Sequence, residues 1–353
     1  MLSEIGHPQL LPQQVYWTKT IVIFSSITTK HLLQHRAMQY RTSACSHFPD
    51  LVPNPTPNPP SKEICDIIRS FRRQFDPDLP SLEDATLEDL CIKEGERRGY
   101  VLDGALQPYL TLGLNIAASA YRHLVDVNVK VYVVFYTMFL TYFDDTYPDE
   151  PDALIGIPNF TKYFMSGEKQ PSKTMNDLAV LLTETPQLFG EVTADMIVHS
   201  ALRFITGLIL ETRNKQEPIH KVEKYAMFLR ELSGVSEAYA MFIFPADLPY
   251  DVYIQSLPFL RDVINFLNDV TSFYKEECDG DMHNLVSLLA EARGEPKSKT
   301  LRYVAERCME AHERTLLILS PHKEAHEMYK EFVKGYLALH MGAKRYRLEE
   351  LDL

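Results

Sequence analysis

Glycine is scarce in this chain, 14 of 353 residues, and the turn pairs that close β-hairpins are nearly missing. The two Asp-Gly pairs, Asp103-Gly104 and Asp279-Gly280, border helical patterns, which argues against an antiparallel sheet. Cysteine is sparse as well. Cys45, Cys65, Cys91, Cys278 and Cys308 are odd in number, far apart and never in a CxxC pair. That usage excludes a disulfide framework and a structural zinc site, and reads as a reduced, cytoplasmic protein. Positive charge is in deficit, with 36 Lys+Arg against 48 Asp+Glu and a net charge of −12. A nucleic acid partner would need a basic face and is excluded. Any small anion handled here requires a local cationic site or bound metal ions. No apolar run reaches the roughly 20 residues of a membrane span; the longest, Val131 to Phe143, stops short. No GxGxxG, P-loop, Gly-x-Ser-x-Gly or HExxH pattern occurs, and the 12 histidines are scattered. Nucleotide binding and serine-hydrolase chemistry are thereby set aside.

Proline, by contrast, is clustered. Six prolines lie between Phe48 and Ser61, an extended segment that joins neither a helix nor an inner strand. It divides residues 1–61, a leader with a Pro-rich linker, from a folded body at 62–353. The composition, 45% hydrophobic and 24% charged, is that of a globular chain. Periodicity makes the body a single all-α domain. Leu260, Val263, Ile264, Leu267 and Val270 recur at three and four residues and predict a helix from near Pro258 to just before Gly280. Met328, Phe332, Tyr336, Leu339 and Ala343 predict another over about 324–347. Further helices are expected at 176–187, 192–213, 219–243 and 297–318. Residues 129–143 have strand propensity, but their length and the lack of a partner strand predict a helix buried on nearly all sides.

Two segments carry candidate chemistry. Asp144-Asp145-Thr-Tyr-Pro-Asp149-Glu150 follows the apolar helix directly; it is either a solvated acidic turn or a source of hard oxygen ligands for Mg²⁺. The second segment favours the ligand reading. Asn268, Ser272 and Glu276 stand at i, i+4 and i+8 of the predicted helix, so they share one face at steps of about 6 Å. An exposed polar stripe rarely places Asn and Ser, both poor helix formers, among Leu267, Val270 and Phe273.

The pattern Asn-Asp-x-x-Ser-x-x-x-Glu with an upstream Asp-Asp cluster resembles the metal-binding pair of class I terpene cyclases. Asn268 to Glu276, together with Gly335-Tyr-Leu-Ala-Leu-His-Met-Gly-Ala-Lys-Arg345-Tyr346-Arg-Leu-Glu, is similar to the fungal trichodiene synthase family in particular. The resemblance covers roughly residues 65–353. It implies an antiparallel helical bundle around a central apolar pocket, three Mg²⁺ ions, and cyclisation of farnesyl diphosphate to a sesquiterpene with release of diphosphate. By the same resemblance Asp144 is a metal ligand with Asp145 beside it, and Asn268, Ser272 and Glu276 form the second metal site. Lys275, Arg345 and Tyr346 contact diphosphate. Arg230 senses it, ahead of a helix break at Gly234-Val235, with Arg203 as the competing choice. Asp149 falls one residue later than the usual spacing. A homodimer is compatible with the resemblance.

Elementary chemistry runs in parallel. In an acidic protein, metal ions must draw charge onto the diphosphate as its C–O bond breaks, and arginine forks suit phosphate oxygens better than lysine. A carbocation needs an apolar pocket from which water is excluded. The chain has 18 Phe and 19 Tyr to build one; Phe135, Phe139, Tyr142 and Tyr239 are candidates for the wall, with Phe139 as a substrate contact. Two rivals stand beside this reading. A chain-elongating prenyl diphosphate synthase would carry a second Asp-rich motif in place of Asn268, Ser272 and Glu276. A non-catalytic helical protein would keep only a degenerate metal site.

Overall fold

Apolar residues at three- and four-residue spacing wind nearly every segment into helix. The computed structural model describes residues 60–75, 78–148, 150–214 and 222–352, and no strand forms among them. Apart from Pro60 and Ser61, the leader lies outside the described residues, as does Asp149. The helices are α1 (Lys62–Arg72), α2 (Ala85–Arg98), α3 (Gln107–Ser119), α4 (Val127–Thr146), α5 (Phe160–Ser166), α6 (Lys173–Leu188) and α7 (Glu191–Asn214). They continue with α8 (Glu223–Ser233), α9 (Ser236–Met241), α10 (Leu257–Asp279), α11 (Leu285–Arg293), α12 (Lys297–Leu319) and α13 (Lys323–Gly342). Local side chains set several starts: Ser61, Asp84, Asp126, Ser172 and Asn284 each accept a hydrogen bond from a backbone N–H of the first turn. Caps of this kind contribute about 1 kcal/mol each.

The β-prone segment is indeed helical. α4 packs against α3, α6 and α2, so that Val133, Val134, Phe135, Tyr136, Met138 and Phe139 are all fully buried. Burial around the whole circumference overrides strand propensity there. α10 is the other central helix, packed against α9, α12 and α13, and Gly280 (φ +72°) ends it as the sequence predicts.

One boundary falls where the resemblance implies and one differs from expectation. The helical stretch expected at 219–243 is two helices, α8 and α9, broken at Gly234-Val235. The helix expected to run to 347 stops at Gly342. Ala343 turns to an extended conformation (ψ 118°), and Lys344–Tyr346 forms a separate 3₁₀ turn. That turn, rather than a continuing helix, carries Arg345 and Tyr346. Among the described residues α7 alone is long and apolar enough to cross a membrane. Its apolar face is occupied in the bundle, with Ala201, Phe204, Ile205 and Leu208 buried.

Candidate active site

One cavity of about 850 Å³ opens between α3, α4, α7, α10, α13, the α8–α9 break and the 3₁₀ turn at 344–346. Small-molecule sites commonly span about 300–1,000 Å³. α4 lines it with Thr137, Leu140, Thr141, Asp144 and Asp145, followed by Pro148 just past its end; α10 lines it with Ile264, Asn268, Ser272, Lys275 and Glu276. Both sets follow helical spacing, so each helix turns one stripe to the cavity. The two expected donor banks therefore share a single space. Arg230, Gly234, Arg345 and Tyr346 line it too. Exposure divides the lining. Asp144 and Asp145 are exposed and Lys275, Glu276 and Arg345 partly so, while the apolar side chains Ile116, Phe204, Val235 and Ile264 are buried.

The charge balance of this wall is negative. Five carboxylates (Asp144, Asp145, Glu211, Glu276 and Asp281) share it with three permanent cations, Arg230, Lys275 and Arg345. Asp144 is open to the cavity yet ringed by protein, and that loss of bulk water pushes its pKa up to about 7. Glu211 and Asp145 push the same way, against Arg345 and Arg230. Burial likewise pushes Glu276 up to about 7, and Asp269 and Asp281 add to it. Raised carboxylates grouped in a cleft mark a place where a positive partner is favoured.

Arg230 reaches from α8 to α10. Its Nε donates to Asp269 Oδ1 at 2.7 Å, and its Nη2 donates to Asn268 Oδ1 at 3.1 Å and to the Asn265 carbonyl at 3.2 Å. Burial pushes Asp269 up to about 6 despite the guanidinium beside it. Arg203, the competing choice, pairs with Glu237 at 3.2 Å and is absent from the lining. The helix break is shaped by close approach. A Cβ on Gly234 would stand 2.1 Å from Asn265 Oδ1, and Val235 takes φ +48°. A β-branched residue in that region costs on the order of 1–3 kcal/mol, strain typical of functional segments. On the opposite side Arg345 Nη2 lies 3.7 Å from Asp145 Oδ1, so the C-terminal turn is tied to the α4 bank.

The donor set fits a hard cation. Among the described residues no three His, Cys, Asp or Glu side chains converge as a metal cluster; the candidates are an amide, a hydroxyl and carboxylates. Ser272 Oγ is buried without a hydrogen-bond partner. An orphaned hydroxyl between an amide oxygen and a carboxylate on one helical face is the kind of oxygen site Mg²⁺ occupies.

One expected contact is corrected. Phe139 is fully buried, edge-on to Tyr100 at 5.2 Å, and does not line the cavity. It sits two residues from Thr137, about 200° around α4, and so faces the core. Phe135 packs on Tyr100 in the same way, and Tyr142 lies against Tyr109 rather than in the lining. Tyr239 does line the cavity, its hydroxyl donating to Thr137 Oγ1 at 3.0 Å. Glu211 and Asn214 of α7, and Asp281 and His283 after α10, are lining residues that the sequence reading missed. Nothing in the local pattern distinguishes Glu211 and Asn214 from an ordinary helix end.

The family profile of trichodiene synthase (TRI5) matches residues 116–352. Alpha-cuprenene synthase COP6 of Coprinopsis cinerea is 32% identical over 295 residues, covering 82% of this chain and 90% of that protein. Longiborneol synthase CLM1 of Gibberella zeae is 31% identical over 235 residues, 65% of this chain and 69% of that one. The solved linalool/nerolidol synthase of Streptomyces clavuligerus superposes with a TM-score of 0.60 at 16% identity, over 76% of this chain and 97% of the other. The last likeness establishes the class I terpene synthase fold. A profile match over more than half the chain, with kinship to COP6 along most of it, places this protein in the trichodiene synthase family as a terpene cyclase, a lyase.

Proposed function

We propose that the chain is a Mg²⁺-dependent sesquiterpene synthase that ionises farnesyl diphosphate, cyclises the farnesyl cation and releases diphosphate. The observation carrying this reading is that Asp144 and the Asn268, Ser272, Glu276 stripe line the same cavity as Arg230, Lys275 and Arg345, above an apolar interior. The lining holds more carboxylates than cations, so a multiply charged diphosphate is repelled unless divalent ions offset that negative charge. Asp144, Asn268, Ser272 and Glu276, with Asp145 alongside, would hold Mg²⁺, which would supply Lewis acidity for the charge of the leaving group. Three ions are the expected number.

The remaining work belongs to the chain itself. Arg230 and Arg345 donate forked hydrogen bonds to phosphate oxygens, with Lys275 as a point charge and Tyr346 beside Arg345. Leu140, Phe204, Ile264 and Leu339 hold the prenyl chain and exclude water, which would quench the cation. The ring faces of Tyr239 and Tyr336 stabilise positive charge by about 0.5–2 kcal/mol each. The Gly234-Val235 break brings backbone to the same wall. Farnesyl chain length rests on the trichodiene synthase kinship. Catalysis is assigned to residues 62–353, so removal of 1–61 leaves turnover intact.

Purified protein incubated with farnesyl diphosphate and Mg²⁺, with the headspace analysed by gas chromatography, should release a cyclic sesquiterpene hydrocarbon or alcohol. A longer prenyl diphosphate formed with isopentenyl diphosphate, or volatile products from geranyl diphosphate only, would overturn the assignment.

A further inference from the structure

His340 is fully buried near the end of α13, and both of its ring nitrogens are engaged. Nε2 lies 3.1 Å from Asn268 Nδ2, and Nδ1 lies 2.8 Å from the Tyr336 carbonyl oxygen. The ring is flanked by Tyr336, edge-on at 4.6 Å, and by Tyr346 at 4.4 Å. His340 does not line the cavity; among the lining residues it touches, Asn268 is the one whose side chain it meets by a hydrogen bond.

An asparagine amide has two ends of nearly equal size, so packing alone does not decide which end faces a ligand. Two neighbours decide it here. The Arg230 guanidinium has donors only, so the Asn268 atom 3.1 Å from its Nη2 is the oxygen. The opposite end is then the NH₂ group, which also only donates. His340 Nε2 must therefore be the bare, accepting nitrogen. The ring proton sits on Nδ1, and the Tyr336 carbonyl accepts it.

On the strength of that chain of single assignments, and on the function proposed above, we infer that His340 is a positioning residue whose Nε2 lone pair turns the Asn268 amide oxygen toward the cation site. The oxygen has two lone pairs, so one meets a cation while the other keeps Arg230. A flipped amide would set NH₂ against the guanidinium and offer a donor to the cation. Groups that orient a ligand from behind change metal affinity by about 10–100-fold when removed.

Three variants separate the roles of the ring. His340→Phe keeps an aromatic ring between the tyrosines but has no acceptor. His340→Gln carries an oxygen at the place of Nε2, and His340→Asn reaches only the place of Nδ1. Thermal stabilisation by inorganic diphosphate is titrated with Mg²⁺ in the absence of substrate, and nitrogen-15 spectra of histidine-labelled, metal-free protein report the ring tautomer. The Mg²⁺ midpoint should rise at least about tenfold in the Phe and Asn variants and stay within about threefold in Gln, and the wild type should show the Nδ1–H tautomer. An Nε2–H tautomer overturns the proposal, as does an unchanged midpoint in a folded Phe or Asn variant, or a Gln variant as impaired as Asn. A wild type indifferent to Mg²⁺ and diphosphate overturns the functional reading instead, and the tautomer still decides the orientation.

Discussion

Removing Asp269 should cost this protein more stability than removing its partner Arg230, even though Arg230 faces the cavity. The two side chains are 9% and 16% exposed and meet at 2.7 Å. A guanidinium left alone cannot shed its proton, whereas a carboxyl left alone takes one up and becomes neutral. Asp269 is already raised to about 6 with the arginine present, so Arg230→Ala leaves a group that neutralises readily. Stripping one partner from a buried ion pair costs about 3–5 kcal/mol. In Asp269→Ala the guanidinium keeps Asn268 Oδ1 and the Asn265 carbonyl, which sets the loss near about 3 kcal/mol, against about 1 kcal/mol for Arg230→Ala. At about 2 °C per kcal/mol for a domain of this size, melting falls by about 6 °C and about 2 °C respectively. Turnover reverses the order. Arg230→Ala deletes a donor to the leaving group and should lose on the order of 10²–10³ in kcat, while Asp269→Ala keeps that donor with less restraint. Circular-dichroism melts and steady-state turnover of the same metal-free preparations, with Mg²⁺ restored for the rate, measure both. A melting loss in Arg230→Ala equal to or larger than that in Asp269→Ala would refute the reasoning.

Asn268→Ala and Asp144→Ala should each abolish product release while leaving the melting temperature within a few degrees of wild type; full activity in either removes that residue from the metal site. Gly335→Ala should lower the melting temperature and turnover together, because its Cβ would stand 2.0 Å from the Ser119 carbonyl oxygen and 2.6 Å from Ala120 Cα. Backbone cannot swing aside, so α13 must shift from α3, at the overpacking cost of about 1–3 kcal/mol or more. His312 lies beside Tyr329 OH at 2.8 Å, and burial lowers its pKa from the ordinary 6.5 to about 4. The unfolded chain binds the proton first, so the stabilisation is complete above about pH 6.5 and is lost as pH falls toward 4. Asp144, Glu276 and Asp269, raised to about 7, 7 and 6, act with the opposite sign in the same window, so the imidazole is read by difference: the urea midpoint of His312→Gln should gain on that of wild type as pH falls from about 6.5 to 4.

The α10 ligand stripe was legible because helical periodicity is a local property. Asn268, Ser272 and Glu276 share a face as soon as the helix exists, and burial of Leu267, Val270 and Phe273 fixes which face remains. α4 shows the limit of the same reasoning. With Val, Phe, Tyr and Met around most of the circumference, only Thr137 and Thr141, in line with Asp144, mark the stripe turned to the cavity, and Phe139, off that line, was assigned to the wrong side. The end of α13 was misread for a related reason. Its apolar pattern continues through Ala343, while the chain leaves the helix at that residue and swings Arg345 and Tyr346 into the cavity.

By itself, then, the order of residues determined the all-helical class, the apolar run that becomes α4 and the shared face of Asn268, Ser272 and Glu276 on α10, all set within a few turns of chain. Tertiary structure alone decided that Asp144 and Asn268 face each other's cavity, that Asp269 anchors Arg230, that Glu211 joins the wall and that His340 backs Asn268. Those pairs are brought together by packing of helices distant along the chain, and helix packing depends on how whole faces fit, which no short stretch of residues encodes.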